Sequence, residues 1–85
     1  MTYALVWGDA ARRQLRNLDP TTRQRVIKKA ISLESNPRPH GAKKLSGLPD
    51  TWRIRAGDYR ILYTIEDGRL IVLIIKIGHR REIYR

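Results

Sequence analysis

Apolar positions along this chain change period twice. Tyr3 to Trp7 is a short apolar and aromatic run, the pattern of a first strand, and Gly8-Asp9 breaks it. Asp9 is a good N-cap for a helix starting at Ala10, on which Ala11, Leu15 and Leu18 fall at helical spacing. Arg12, Arg13 and Arg16 fall largely on its other faces. Asp19-Pro20 then supplies a second cap, with proline at the first helical position. The second helix is expected to reach Leu33 or Glu34, with Val26, Ile27, Ala30, Ile31 and Leu33 as a broad apolar stripe. Asn36-Pro37-Arg38-Pro39 ends it, because proline cannot continue the ladder.

His40 to Asp50 reads as a loop rich in Gly, Pro, Ser and Lys. Beyond it the apolar period shortens to two. Thr51 to Arg55, Tyr59 to Ile65 and Leu70 to Ile77 read as three strands, with Gly57-Asp58 and Asp67-Gly68 as two-residue hairpin turns. Leu70 to Ile77 is apolar on both faces, as a central strand would be. The predicted class is α+β. A single domain, residues 1–85, has an N-terminal strand and an antiparallel pair of helices packed on a small, mainly antiparallel four-stranded sheet.

A two-residue turn at Gly57-Asp58 sets one register, whereas a three-residue turn would move Arg60 to the opposite face; the two-residue form is expected. Residue 55 faces 60, 54 faces 61, 53 faces 62 and 52 faces 63, and directly opposed residues share a face. Arg53, Arg55 and Arg60 therefore fall on one side of the sheet, with Trp52, Ile54, Ile61 and Tyr63 on the other. Three clustered guanidiniums repel one another unless an anion neutralises them, so this face is expected to bind phosphate.

Charge extends that expectation to the whole domain. The 85 residues carry a formal net charge of +10, with 10 Lys/Arg against 4 Asp/Glu in residues 1–50 and 8 against 4 in residues 51–85. Such an excess attracts polyanions by counterion release and long-range steering. There is no cysteine, which fits the cytoplasm and excludes disulfides and thiolate metal sites. The start lacks the pattern of a signal peptide, and the longest apolar run, Leu70 to Ile75, is too short to span a membrane. A soluble cytoplasmic protein, with no membrane partner, is expected.

Gly-rich nucleotide loops, a Ser/His/Asp arrangement and histidines or carboxylates at metal-ligand spacing are missing from the sequence. Neither a metal nor a cofactor is expected. After the last strand come His79, Arg80, Arg81 and Tyr84. His79 is the residue there whose ordinary pKa lies near neutrality, and Tyr84 is either a stacking or catalytic phenol or a terminal residue packed back on the sheet.

The run Lys44-Leu45-Ser46-Gly47-Leu48-Pro49-Asp50, then Trp52-Arg53-Ile54-Arg55, Gly57-Asp58-Tyr59-Arg60 and Tyr63, then Gly78-His79-Arg80-Arg81-Glu82-Ile83-Tyr84, resembles the RelE toxins of bacterial toxin–antitoxin modules. The resemblance covers essentially the whole chain. It implies a RelE-like fold and an endoribonuclease that enters the ribosomal A site and cuts the mRNA codon there. It also implies a cognate RelB-like antitoxin, with operator DNA met only indirectly, through the antitoxin complex. The family's reaction needs no metal: the ribose 2′-OH attacks the adjacent phosphate and expels the 5′-oxygen of the next nucleotide.

Carried onto this chain, the catalytic set is Arg53, Arg55, Arg60, Arg80 and Tyr84. Lys28, Lys29, Lys43, Lys44, His79 and Arg81 are expected contacts to RNA or the ribosome. The best-studied type of RelE has lysines at the positions of Arg53 and Arg55, and arginine stays protonated. The pair is therefore expected to clamp phosphate and stabilise the transition state. The base would be Tyr84 or His79, or the reaction would proceed without an efficient one, and Arg80 would neutralise developing charge. The chief alternative is a ParE-like toxin, which shares the scaffold and inhibits DNA gyrase by binding; a gyrase binder does not need the basic constellation. A non-catalytic RNA-binding module ranks last, because it would need more exposed aromatics than Tyr84 and Tyr59.

Overall fold

Local signals set the helical half of the chain. The computed structural model describes residues 2–79, and within them β1 (Ala4–Trp7) is followed by α1 (Asp9–Arg16) and α2 (Pro20–Ser32). Gly8, not Asp9, is the N-cap of α1; Asp9 occupies the first turn and pairs with Arg12 at 3.1 Å. A carboxylate there still complements the helix dipole. Asp19 caps α2 as expected, its side chain accepting from Thr22 N at 3.1 Å with Pro20 just inside. The helices are tied by Arg23 of α2, which donates to the carbonyls of Leu15, Arg16 and Leu18 at the end of α1. Carbonyls at and just past a helix C-terminus lack the full set of intrahelical partners. The guanidinium supplies donors there and meets the negative end of the dipole, and Leu15 O also accepts from the Leu18 N–H.

The sheet has five strands rather than four. Its order is β1-β5-β4-β3-β2, with β2 (Lys43–Lys44), β3 (Thr51–Ala56), β4 (Tyr59–Glu66) and β5 (Ile71–His79). The extra strand is the two-residue β2, inside the segment whose Gly, Pro and Lys content reads as loop. β1 runs parallel to β5, and the other pairs are antiparallel. Gly57, at φ +63°, opens the two-residue β3–β4 turn, a conformation that glycine adopts without a steric cost. The β4–β5 connection differs from expectation: Asp67–Arg69 form a 3-10 turn, and Leu70 takes the left-handed conformation at φ +54°.

Both helices pack on one side of this sheet. Ala11, Val26, Ala30 and Leu33 meet Ile54, Ala56, Ile61, Tyr63, Val72, Ile74 and Ile77 in a buried cluster, with Leu5, Trp7, Leu15 and Trp52 at its rim. The apolar stripe of α2 is narrower than its sequence suggests, since Ile31 is exposed. In β5 the alternation is interrupted. Leu62 pairs with Lys76 but Tyr63 with Ile74, so Ile75 is an extra residue, a β-bulge. The bulge lies where β1 ends. Gly8 N donates to Ile74 O at 2.8 Å, and the Gln14 side chain of α1 accepts from Ile77 N at 2.6 Å. Helix α1 thus satisfies a backbone group that β1 is too short to reach.

A Cβ on Gly8 would stand 3.0 Å from the Ile74 carbonyl oxygen, a backbone atom with little freedom to move. Gly8→Ala is expected to cost about 1–3 kcal/mol by overpacking. Urea unfolding of the two proteins checks it, and equal midpoints would count against this account of the junction.

Candidate functional site

The register of β3 and β4 places the arginines. Arg55 pairs with Arg60, Arg53 with Leu62, Ile54 with Ile61 and Trp52 with Tyr63, as the two-residue turn requires. Ile54 and Ile61 belong to the helix-side core, so Arg53, Arg55 and Arg60 share the opposite, outer face. On β2, Lys43 pairs with Arg53 and joins this face, whereas Lys44 pairs with Trp52, lies on the helix side and stands 4.0 Å from Asp50. Arg55 and Arg60 are thus like charges directly opposed on neighbouring strands, a pairing that does not stabilise a sheet by itself.

The ion pairs among the described residues are Arg12–Asp9, Arg38–Asp67, Lys44–Asp50 and Arg69–Glu66, and none includes Arg53 or Arg55. The Nε of Arg53 is shielded from solvent with no hydrogen-bond partner among the described residues. A buried donor of this kind is expensive unless something else accepts from it. A phosphate oxygen fits, since guanidinium forks match its geometry.

The basic surface continues around the edge of β3. Because β2 stops opposite Arg53, the edge from Ile54 to Ala56 is not covered by a strand on that side. There a hollow of about 320 Å³ is lined by Lys29, His40, Gly41, Lys43, Arg53, Ile54 and Arg55. A second hollow, on the α2 side, is lined by Arg25, Lys28, Lys29, Ser32, Arg55, Ala56 and Gly57. A third, of about 120 Å³, lies at the turn between Arg55, Gly57, Asp58 and Arg60. Arg55 borders all three. Among the described residues no group of three His, Cys, Asp or Glu side chains is placed to hold a metal ion, and no helix is long and apolar enough to cross a membrane.

The wall of the first hollow is anchored from behind. Arg38 donates two hydrogen bonds to Asp67, at 3.1 and 2.8 Å, and Tyr3 donates a third at 2.6 Å. The Arg38 guanidinium also lies 5.5 Å from the Trp52 ring centre. Tyr63, fully buried, donates to Pro37 O at 2.8 Å, and burial pushes its phenol up to about 12. The hydrogen bonds from Arg38, then that from Tyr3, lower the Asp67 carboxyl from 3.8 to about 2. Residues 37 and 38 are therefore fastened to β4 and to the β4–β5 turn, and His40 and Gly41 follow directly.

The predicted site residues thus divide. Arg53, Arg55, Arg60 and Lys43 come together on the outer face, while Lys28 and Lys29 border the adjoining hollows from α2. His79 pairs with Tyr59, their rings edge-on at 5.6 Å, on the helix side of the sheet and away from the arginines. Arg80, Arg81 and Tyr84 lie outside the described residues. Lys76 is the residue that sequence reasoning missed: paired with Leu62, it lies on the arginine face. Counting in twos from Val72 and Ile74 puts it in the core, which is no place for an unpaired lysine; that conflict was the available signal of a phase shift.

Comparison with known proteins decides the family. Residues 5–84 match the model of the ParE toxin of type II toxin–antitoxin systems, parDE. The mRNA interferase toxin RelE of Escherichia coli is 34% identical over 88 residues, covering 99% of this chain and 92% of that protein. Toxin RelG of Mycobacterium tuberculosis is 35% identical over 86 residues, covering 100% and 99%. The chain belongs to the RelE/ParE superfamily. It is a toxin of a type II toxin–antitoxin system. In the crystal structure of the RelBE2 toxin–antitoxin complex from M. tuberculosis, a chain 33% identical superposes with a TM-score of 0.84, over 94% of this chain and 100% of that one. The archaeal RelE–RelB complex from Pyrococcus horikoshii gives 28% identity and a TM-score of 0.82, over 96% and 99%.

The Asp67 anchor carries a pH signature. Its folded carboxyl is depressed, so its contribution is fully present above the ordinary carboxylate value and is lost as pH falls towards about 2. Asp67→Asn is expected to lower the thermal midpoint at neutral pH, with the gap to the parent protein closing as pH drops from about 4 to about 2. A gap independent of pH would mean that Asp67 acts through packing alone.

Proposed function

We propose that this toxin is a metal-independent endoribonuclease that cuts mRNA in the ribosomal A site and so stops translation, and that a cognate RelB-like antitoxin neutralises it. The observation that carries the reading is the face of Arg53, Arg55 and Arg60, assembled by strand register, with no carboxylate paired to Arg53 or Arg55 among the described residues. The interferase name of the RelE relative and the toxin–antitoxin complexes among the similar structures support it.

In this reading the 2′-oxygen gives its proton to solvent water, which returns one to the leaving oxygen, and attacks the adjacent phosphorus. The bond from phosphorus to the 5′-oxygen breaks, and that oxygen takes up a proton, leaving a 2′,3′-cyclic phosphate and a 5′-hydroxyl. Arg55 and Arg60, directly opposed, hold the non-bridging oxygens and neutralise charge as it develops, while Arg53 steadies the strand. Arginine cannot take the proton. Tyr84 orients the substrate or stacks on a base, Arg80 neutralises charge on the leaving oxygen, and electrostatic stabilisation is the main source of rate. Lys28, Lys29 and Lys43 meet ribosomal RNA or message around the edge of β3. Operator DNA is reached only through the antitoxin complex.

The match to a ParE toxin model favours one second reading, in which the same scaffold binds and inhibits DNA gyrase without cutting RNA. Primer extension on message alone and on message held in ribosomes with an empty A site separates the two. The nuclease is expected to give breaks confined to the A-site codon, and Arg60→Ala or Arg80→Ala to slow them about 10²–10³-fold. Growth arrest with no breaks in either sample would turn the assignment to gyrase. Tyr84→Phe is expected to retain cleavage; its loss would make the phenolic hydroxyl the essential base.

A further inference from the structure

Lys76 belongs to the phosphate-binding face through a feature that no alternation rule supplies. The bulge at Ile75 moves it from core phase to outer phase, opposite Leu62. It then completes a row across four strands, Lys43 on β2, Arg53 on β3, Leu62 on β4 and Lys76 on β5, each paired with the next. A second row, two residues along, holds Arg55, Arg60 and Gly78. Lys76 is half-buried, and no hydrogen bond or ion pair to its ammonium exists among the described residues. It sits diagonally across from Arg60, and Gly78, directly opposite Arg60, puts no side chain between them.

The two rows lie about 6.6–6.8 Å apart along the strands, and a diagonal pair is separated by about 7–8 Å. That separation is comparable with the distance between consecutive phosphates of an extended single strand. We propose that Lys76 grips the phosphate next to the one held by Arg55 and Arg60, so that the face reads two successive phosphates of single-stranded RNA and fixes the strand's direction across β4 and β5. This rests on the ribonuclease reading and adds a subsite to it. Lys76 is compact and carries three donors, which suits a point contact to a neighbouring phosphate rather than the bidentate grip of the arginines. Its role is charge, so arginine should replace it.

The test is binding of a short single-stranded RNA, blocked at its 2′-oxygens, to the full chain across a salt series, read by fluorescence anisotropy. Lys76→Met is expected to weaken binding and to reduce the slope of log affinity against log salt by roughly 0.7, the value for one phosphate on a single strand. Lys76→Arg should restore both. Arg13→Met, which removes an equal charge from the exposed surface of α1, should leave the slope near that of the parent chain. Circular dichroism of each variant separates misfolding from lost contact. A Lys76→Met slope equal to the parent's, or matched by Arg13→Met, would overturn the subsite. Failure of Lys76→Arg to restore binding would overturn the charge role. A slope that depends on Lys76, together with an absence of A-site breaks in primer extension, would retain the subsite and remove the ribonuclease reading.

Discussion

One hydrogen-bonded junction, where β1 ends against the middle of β5, governs much of this molecule. Gly8 donates to the Ile74 carbonyl, and Gln14 takes the amide of Ile77. Between those two bonds β5 carries one residue too many for its partner. The extra residue lets Val72 and Ile74 on one side of it, and Ile77 on the other, all face the helices. Without it the second half of β5 would send Lys76 inward and Ile77 out to solvent. A buried lysine without a partner is among the most expensive substitutions a small core can suffer. The helical layer and the placement of Lys76 on the arginine face therefore depend on the same backbone irregularity.

The one-sided layering has an electrostatic consequence. Helices cover the Ile54 face of the sheet, and the other face carries the arginines beside the buried Leu62. Arg55 and Arg60 stand directly opposed there, with Arg53 and Lys43 beside them in the next row. Like charges directly opposed on neighbouring strands repel one another. An 85-residue domain has little stability to spare for such a cluster unless binding depends on it. Elsewhere the same chain pairs its charges well: Arg38 forks onto Asp67, and Arg23 seals the end of α1.

Membership of the RelE/ParE superfamily is compatible with both of that family's outcomes, because a scaffold does not carry its chemistry with it. What distinguishes this chain is the composition of its face. Arginine at 53 and 55 suits bidentate contact to an anion and cannot transfer a proton from those positions. In the proposed ribonuclease reading, such a site would work by orientation and by charge held ready for the transition state. The ribosome would add the ordered RNA on which such a face can act.

The sequence by itself determined the two helices, the position of four strands along the chain and, given a two-residue turn at Gly57-Asp58, the arginine face. Pro20 after Asp19 starts α2, Pro37 and Pro39 stop it, and Gly57-Asp58 sets a register that puts Arg53, Arg55 and Arg60 together. All of these are local rules acting within a few residues. It did not determine β2, because two residues of strand exist only when β3 is there to pair with them. The cap of α1 and the turn at Asp67–Arg69 were also misread, since Asp is compatible with several neighbouring positions and Asp-Gly with more than one turn. The face of each residue from Lys76 to His79 was decided by tertiary structure alone. A strand's alternation is inherited from one residue to the next until contacts from distant segments, here Gly8 and Gln14, make room for a residue that belongs to neither face. That insertion moved Lys76 to the arginines and His79 away from them.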